Sequence, residues 1–230
     1  VGGRYSVLSA VGLFPLALSG VDIKHLLAGA RDAVNDCTNK SLKTNRALCS
    51  AIVSFINYTK GHSVHNTFLF APELESLGKW YRQLMAESLG KDGKGLAPLV
   101  SIGSTDMHSL AQLFYGGANN AITTIVTAPA NGSVKVPKKL IFPGLVEHLE
   151  GKSLEELMNA ISTGTTTTYK KLKRPVVSIA FEKLNAYELG YYLQFRMIEI
   201  MYLAKLMDVD AFDQPMVEGY KKETKVLLKK

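Results

Sequence analysis

The segment Trp80–His108, WYRQLMAESLGKDGKGLAPLVSIGSTDMH, contains the change from helix to strand that decides the fold. Apolar residues recur at helical spacing after Pro72 and predict a helix, which Gly90 is expected to end. The short apolar run Leu99–Ile102 predicts a buried strand, followed by Gly-Ser-Thr-Asp and then by a helix that carries His108. Such a junction collects polar groups at the carboxyl edge of a parallel sheet, where open α/β folds bind ligands.

The rest of the chain repeats this alternation with short connections. Strands are predicted at 66–71, 99–102, 122–127 and 176–182, and helices at 21–35, 45–60, 105–115, 154–171 and 186–207. Such alternation indicates an α/β fold with a parallel sheet and crossover helices. Ser6 is expected to cap a helix that begins near Val7 and is interrupted or restarted at Pro15. Pro215 is expected in the first turn of the last helix, and 128–143 is expected to be a loop or edge-strand excursion.

Composition limits the classes of protein. The chain has 230 residues, of which 47% are hydrophobic and 20% charged, as in ordinary globular proteins. Its net charge of +7 raises a nucleic-acid alternative, but no alternation of aromatic and basic residues marks a stacking surface. We expect solvated basic faces with some attraction for anionic substrates, and no nucleic-acid partner. The apolar run Val7–Leu18 is too short to span a bilayer, so no membrane partner is expected either.

Three further features leave alternatives open. Cys37 and Cys49 are expected to be free thiols in a reducing compartment, with a disulfide as the alternative. The spacing of His62 and His65 would suit a metal, but no cysteine or carboxylate cluster accompanies them, so structural histidines are expected. The hydroxyl-rich run Thr163–Thr168 would suit a phosphate, but its flanks continue a helical pattern.

Four motifs carry a more specific signal. They are VGGRYS at Val1–Ser6, ESLGK at Glu87–Lys91, STDMHS at Ser104–Ser109, and FDQPMVEGYK at Phe212–Lys221. In this order they resemble the signatures of the glucose-6-phosphate (phosphoglucose) isomerase family, with the histidine segment in its bacterial form. Because the motifs extend over nearly the whole chain, the resemblance is specific.

The resemblance implies an aldose–ketose isomerase that works through an enediolate. Such a reaction needs an acid/base group for proton transfer and a cation to hold the enediolate charge. By resemblance, Glu87 is the acid/base, and His108 helps to open the sugar ring together with Lys221. Arg4 resembles the arginine that stabilises the enediolate, a task that suits its permanent charge. Gly3 and Gln214 correspond to substrate-binding positions, and no metal or organic cofactor is implied.

The resemblance also implies an organisation. It predicts a three-layer α-β-α sugar-isomerase domain with a parallel sheet flanked by helices, plus extra N-terminal helices. We divide the chain into a helical segment at 1–65 that carries the active-site loop, an α/β domain at 66–207, and an active-site loop and helix at 208–230. The family's N-terminal sugar-isomerase domain, which holds the substrate phosphate, lies upstream of these motifs and is not in this chain. We therefore expect the isolated chain to be poorly active.

The implied partners are a sugar phosphate and a second copy of the chain. In the family the site forms at a homodimer interface, with the histidine supplied by the other subunit, and the expected compartment is the cytoplasm. Met216 replaces the signature's glycine, so we expect crowding or a shift in the loop before Lys221. The alternatives are a non-catalytic sugar-phosphate-binding module and, without support from these residues, a secreted signalling role.

Overall fold

The computed structural model describes residues 2–130, 132, 134–139 and 147–229, and in these ranges the chain folds around a four-stranded sheet. The strands are β1 (Val64–Leu69), β2 (Ala97–Ile102), β3 (Ala121–Thr127) and β4 (Val176–Ala180). Their order is β2-β1-β3-β4, and every neighbouring pair is parallel. The predicted parallel sheet is therefore confirmed.

Helices connect and flank the strands. They are α1 (Ala10–Leu18), α2 (Ile23–Cys37), α3 (Arg46–Thr59), α4 (Glu75–Leu89), α5 (Thr105–Gly116), α6 (Leu154–Lys171), α7 (Ala186–Met207) and α8 (Val217–Leu227). Short 3-10 turns occur at Gly3–Tyr5 and Pro72–Leu74. The predicted starts of α6 and α7 are correct to the residue, because both helices carry strong start signals, and their ends lie where they were expected.

These start signals are side-chain caps. Asp22, Asn45, Ser153 and Asn185 each accept the backbone N–H of the residue three positions later, at the starts of α2, α3, α6 and α7. Ser153 also forms a reciprocal capping box with Glu156. Such caps satisfy amides that the helix itself leaves free, so the sequence marks these helix starts locally.

The sheet is covered on both faces, as a three-layer fold requires. Leu69 of β1 packs with Tyr192 of α7 on the face that α4 and α7 cover. Its neighbour Phe68 points the other way and packs with Phe114 of α5 and Tyr169 of α6. Successive side chains of a strand alternate between faces, so β1 contributes to both cores.

The N-terminal helices share a core with the α/β part. A Cβ added at Gly29 of α2 would lie 1.9 Å from the carbonyl oxygen of Tyr187, and one at Gly190 of α7 would lie 1.9 Å from that of Leu26. The backbones of α2 and α7 therefore touch, and these contacts join segment 1–65 to segment 66–207. The division into three segments remains a prediction.

Two predicted helix starts are wrong. A helix does not begin near Val7: a 3-10 turn comes first, α1 begins at Ala10, and Pro15 lies inside it. None of the residues of α1 is buried, so the backbone carbonyl that loses its partner to Pro15 stays open to water. Pro215 does not stand in the first turn of α8, which begins two residues later at Val217.

Other expectations have mixed outcomes. Ala128–Pro143 was expected to be a loop or an edge-strand excursion. Its residues 131, 133 and 140–143 lie outside the described residues, as does Val1. In its described part, the strand-like pairing is limited to an isolated bridge from Lys135 to Ser153. Thr163–Thr168 lies inside α6, as its flanks predicted. Cys37 and Cys49 are free thiols, as expected. No helix in the described ranges combines the length and hydropathy that a bilayer crossing demands.

Candidate functional site

Arg4 is the centre of the candidate site. It lies in the 3-10 turn Gly3–Tyr5 and is only 1% exposed. A Cβ added at Gly3 would meet nothing within 4 Å, so open space borders the backbone beside this buried cation. A guanidinium taken out of water must have its donors satisfied by the protein.

Five hydrogen bonds satisfy the Arg4 guanidinium. Nε donates to Ser88 Oγ at 3.0 Å, Nη1 donates to Glu87 Oε2 at 3.1 Å and to the side-chain oxygen of Gln214, and Nη2 donates to the carbonyl oxygens of Ala211 at 2.8 Å and Asp213 at 3.0 Å. Each of its five N–H groups can therefore be assigned a partner. Arg4 joins three predicted motifs that lie far apart in the sequence.

Glu87 occupies the last turn of α4. The buried face of this helix includes Tyr81, Leu84 and Ser88, and Glu87 lies at the rim of that face with its side chain 30% exposed. Its second oxygen, Oε1, accepts a hydrogen bond of 2.9 Å from Gln83 Nε2. The carboxylate is thus held on one side by a cation and on the other by an amide, and part of it still reaches solvent.

Three residues that the sequence did not single out support Arg4. Tyr5 OH lies 3.1 Å from Ser88 Oγ, and Trp80 Nε1 donates to the Arg4 carbonyl oxygen at 3.0 Å. Burial raises the pKa of the Tyr5 phenol, so this hydroxyl stays protonated at neutral pH. The helical spacing of Tyr81, Leu84 and Ser88 could have indicated that Ser88 faces inward beside Glu87.

His108 lies away from this cluster. It stands in the first turn of α5, directly after the carboxyl end of β2, where Asp106 fixes the junction by accepting the Ile102 N–H at 2.7 Å. Helix α4 runs back from the carboxyl end of β1 to the amino end of β2, which puts Glu87 at the opposite edge of the sheet. One chain therefore does not bring Glu87 and His108 together.

Lys221 takes no part in the hydrogen bonds described around Arg4. It is exposed on α8 and pairs with Glu218 at 2.7 Å, and this hydrogen bond raises the pKa of its ammonium. The crowding expected at Met216 is absent: this residue is 83% exposed, and its φ of −73° suits any L-amino acid. The turn here does not need a positive φ, so it accepts a side chain without crowding. The expected shift of the loop stays a prediction.

Two other features do not add to this site. His65 is buried in β1, with Nε2 3.2 Å from Thr124 Oγ1, and the described part of the chain holds no cluster of three potential metal ligands. A cavity of about 580 Å³ lies between α3, β4 and α7, lined in part by Ser50, Phe181 and Tyr192, and it includes none of the predicted site residues.

The sequence matches the family described as phosphoglucose isomerase over residues 1–230. It is 36% identical to the glucose-6-phosphate isomerase of Pediococcus pentosaceus over 231 residues, covering all of this chain and 51% of that protein. It is also 36% identical to the enzyme of the same name from Acholeplasma laidlawii, covering 54% of that protein. The chain thus spans about half the length of the curated relatives it matches.

Solved structures give the same result for the fold. A hypothetical protein from Thermus thermophilus superposes with a TM-score of 0.91 at 31% identity, over 99% of this chain and 55% of that one. A glucose-6-phosphate isomerase from Chlamydia trachomatis superposes with a TM-score of 0.79 at 18% identity, over 99% of this chain and 47% of that one. The second comparison supports the fold alone.

Proposed function

The chain belongs to the phosphoglucose isomerase family, and we propose that it forms the C-terminal part of an enzyme that interconverts glucose 6-phosphate and fructose 6-phosphate. The observation that carries this proposal is the convergence of Glu87 and Gln214 on Arg4. A carboxylate and a fixed cation at one point are what proton transfer through an enediolate requires. Relatives bearing the name of this enzyme, at 36% identity, support the same reaction.

The proposed chemistry uses Glu87 as the base. Its carboxylate removes the proton from carbon 2 of the open-chain aldose and returns it to carbon 1. As the proton leaves, electrons move onto the carbonyl oxygen at carbon 1, and Arg4 stabilises the resulting enediolate charge. Transfer of the hydroxyl proton from the oxygen at carbon 2 to the oxygen at carbon 1, together with protonation of carbon 1 by Glu87, then completes the ketose. Gln214 and the backbone at Gly3 would border the substrate.

We further propose that a second copy of the chain completes the site. Within one chain, Glu87 and His108 lie at opposite edges of the sheet, separated by the length of β2. A neighbouring subunit that presents its own His108 to Glu87 removes this difficulty, and His108 then opens the sugar ring. Lys221 is assigned to the same step from its motif. The substrate phosphate is held by residues outside this chain.

Solvent exchange into the substrate tests the proposal even if turnover is slow. The native chain is incubated with fructose 6-phosphate in D2O, and deuterium at carbons 1 and 2 is followed by NMR. We expect exchange with the native chain and none with Glu87→Gln, because proton removal by Glu87 is the step that admits deuterium. A coupled assay of glucose 6-phosphate formation on the same preparation measures net turnover.

Glu75→Gln provides the control, because this acid is exposed at the other end of α4. It should exchange deuterium like the native chain. If the native chain binds fructose 6-phosphate in calorimetry but incorporates no deuterium, the chain is a sugar-phosphate-binding module and the proposal is wrong. Incorporation that survives in Glu87→Gln would remove Glu87 from the assigned role.

A further inference from the structure

A tight turn directly follows the segment that carries Glu87. Lys91 and Lys94 exchange backbone hydrogen bonds, with N–O distances of 3.2 and 2.7 Å. Between them, Asp92 and Gly93 have φ values of 51° and 72°. An Asp-Gly pair with both residues in the left-handed region is typical of the two-residue type I′ hairpin turn. The turn sends both lysine side chains toward the end of α7.

Lys94 contacts the carboxyl end of α7. Its Nζ donates to the carbonyl oxygen of Met207 at 3.0 Å and to that of Asp208 at 3.3 Å. The last carbonyls of a helix have no partner within the helix and carry the negative end of its dipole. The ammonium therefore stabilises this helix end and fixes the point at which the following loop departs.

Lys91 contacts the loop itself. Its side chain is only 8% exposed, and its Nζ lies 2.6 Å from Asp213 Oδ1 and also donates to the carbonyl oxygen of Asp210. An ammonium removed from water in this way must keep charged or carbonyl partners, so the contact is more restrictive than an exposed ion pair.

Arg4 binds the same loop. Arg4 binds the carbonyl oxygens of Ala211 and Asp213, and its Nη1 meets the side chain of Gln214. The segment 210–214 thus contacts two cations, Lys91 and Arg4. If Lys91 were lost, Arg4 would be the remaining cation among the described residues that binds segment 210–214.

We propose that Lys91 and Lys94, here called the lysine clamp, are positioning residues that hold segment 207–213 so that Gln214 reaches Arg4. The clamp joins the Glu87 motif to the Gln214 motif through contacts that are additional to those of Arg4. Its effect on catalysis rests on the proposed isomerase function, but its effect on the loop does not. No substrate contact is assigned to either lysine.

Hydrogen–deuterium exchange tests the effect on the loop. The native chain is compared with Lys91→Met and Asp213→Asn. Both substitutions break the same ion pair: the first removes the buried ammonium, and the second removes the charge of the exposed carboxylate. We expect the amides of 208–216 to exchange about tenfold faster in both variants, because local opening becomes easier. Lys79→Met, which removes an exposed pair on α4, is the control and should leave this segment unchanged. Unchanged exchange in Asp213→Asn and in folded Lys91→Met would overturn the proposal.

A double-mutant cycle tests the catalytic effect. We expect Lys91→Met to lower kcat/KM about tenfold, and to have no further effect in a Gln214→Ala background, because the clamp acts through Gln214. An equal loss in both backgrounds would overturn this role, since a purely structural effect does not depend on Gln214. Where net turnover of the native chain is too slow for kcat/KM, the rate of deuterium incorporation takes its place in the cycle, and the amide-exchange measurement decides independently whether the clamp exists.

Discussion

Nε of Arg4 donates a hydrogen bond of 3.0 Å to Oγ of Ser88 and thereby joins two residues that lie 84 positions apart. Ser88 is fully buried and also meets the Tyr5 hydroxyl. The residue next to Glu87 therefore sets the orientation of the cation that faces Glu87. The hydrogen bond between Arg4 and Ser88 joins the motif VGGRYS to the motif ESLGK. It can be tested without altering Arg4 or Glu87, the predicted catalytic side chains of these two motifs.

Ser88→Ala should destabilise the fold and weaken catalysis together. The substitution leaves a buried guanidinium N–H without its acceptor, which costs about 1–3 kcal/mol of unfolding free energy. Urea denaturation measures this loss, and the deuterium-incorporation rate should fall in parallel as Arg4 becomes mobile. Ser76→Ala is the matched control, because Ser76 is exposed on the same helix. A Ser88→Ala protein as stable as this control would contradict the expectation.

Mixing two inactive variants should restore activity if the site is shared between copies. Glu87→Gln and His108→Ala are each expected to abolish turnover. In a mixed dimer one site receives both substitutions and the other receives neither, so roughly a quarter of all sites become intact after equal mixing and random reassociation. The assay is deuterium incorporation after the two proteins are dissociated and reassociated together. Failure to recover any exchange, with mixed dimers verified by mass, would count against a His108 donated by the partner.

Gly190→Ala should destabilise the protein strongly because α7 and α2 touch there. The added Cβ would lie 1.9 Å from the Leu26 carbonyl oxygen, so the helices must separate, at a cost of about 3 kcal/mol or more. Gly164→Ala is the matched control: Gly164 lies in α6 with nothing within 4 Å of the new Cβ. That control should gain about 0.5–1 kcal/mol from helix propensity. Equal unfolding midpoints in urea for the two variants would refute the close contact.

Acid should destabilise the fold through His65. Burial lowers the pKa of this imidazole to about 4, with a further lowering from Arg196 that Glu199 partly opposes. In the unfolded chain the pKa is about 6.5, so between these values the unfolded state binds the proton that the folded state rejects. The contribution of His65 to the free energy of unfolding is therefore fully present above about pH 6.5. It is lost as the pH drops, by about 3 kcal/mol at pH 4.

Urea denaturation between pH 4 and 7 measures this contribution as a slope. His65→Asn removes the imidazole and keeps a polar side chain beside Tyr81 and Thr124. The variant should lose less stability over that range than the native chain, whatever its absolute stability at neutral pH. Parallel pH profiles for the two proteins would show that His65 is not the responsible group.

Most of the secondary structure was predictable because its causes are local. The short run of strand-forming residues at β3 and the helical patterns of α6 and α7, together with caps such as Ser153 and Asn185, indicate where these elements lie. The starts of α1 and α8 were not predicted correctly. For α1 the expected cap was Ser6, whose Oγ instead donates to the carbonyl oxygen of Gly3. For α8 the expected signal was Pro215, which lies in the turn before the helix.

By itself the sequence determined the order of helices and strands, the parallel sheet and the family. Each of these can be recognised from short stretches of sequence and from the order in which they follow one another. Only the tertiary structure decided which motif residues meet. It brought Arg4 against Glu87 and Gln214, and it left His108 at the other edge of the sheet and Lys221 exposed on α8. The physical reason is that a motif specifies side-chain chemistry, whereas the direction in which α4 crosses the sheet and the path of the loop after α7 follow from packing across the whole chain.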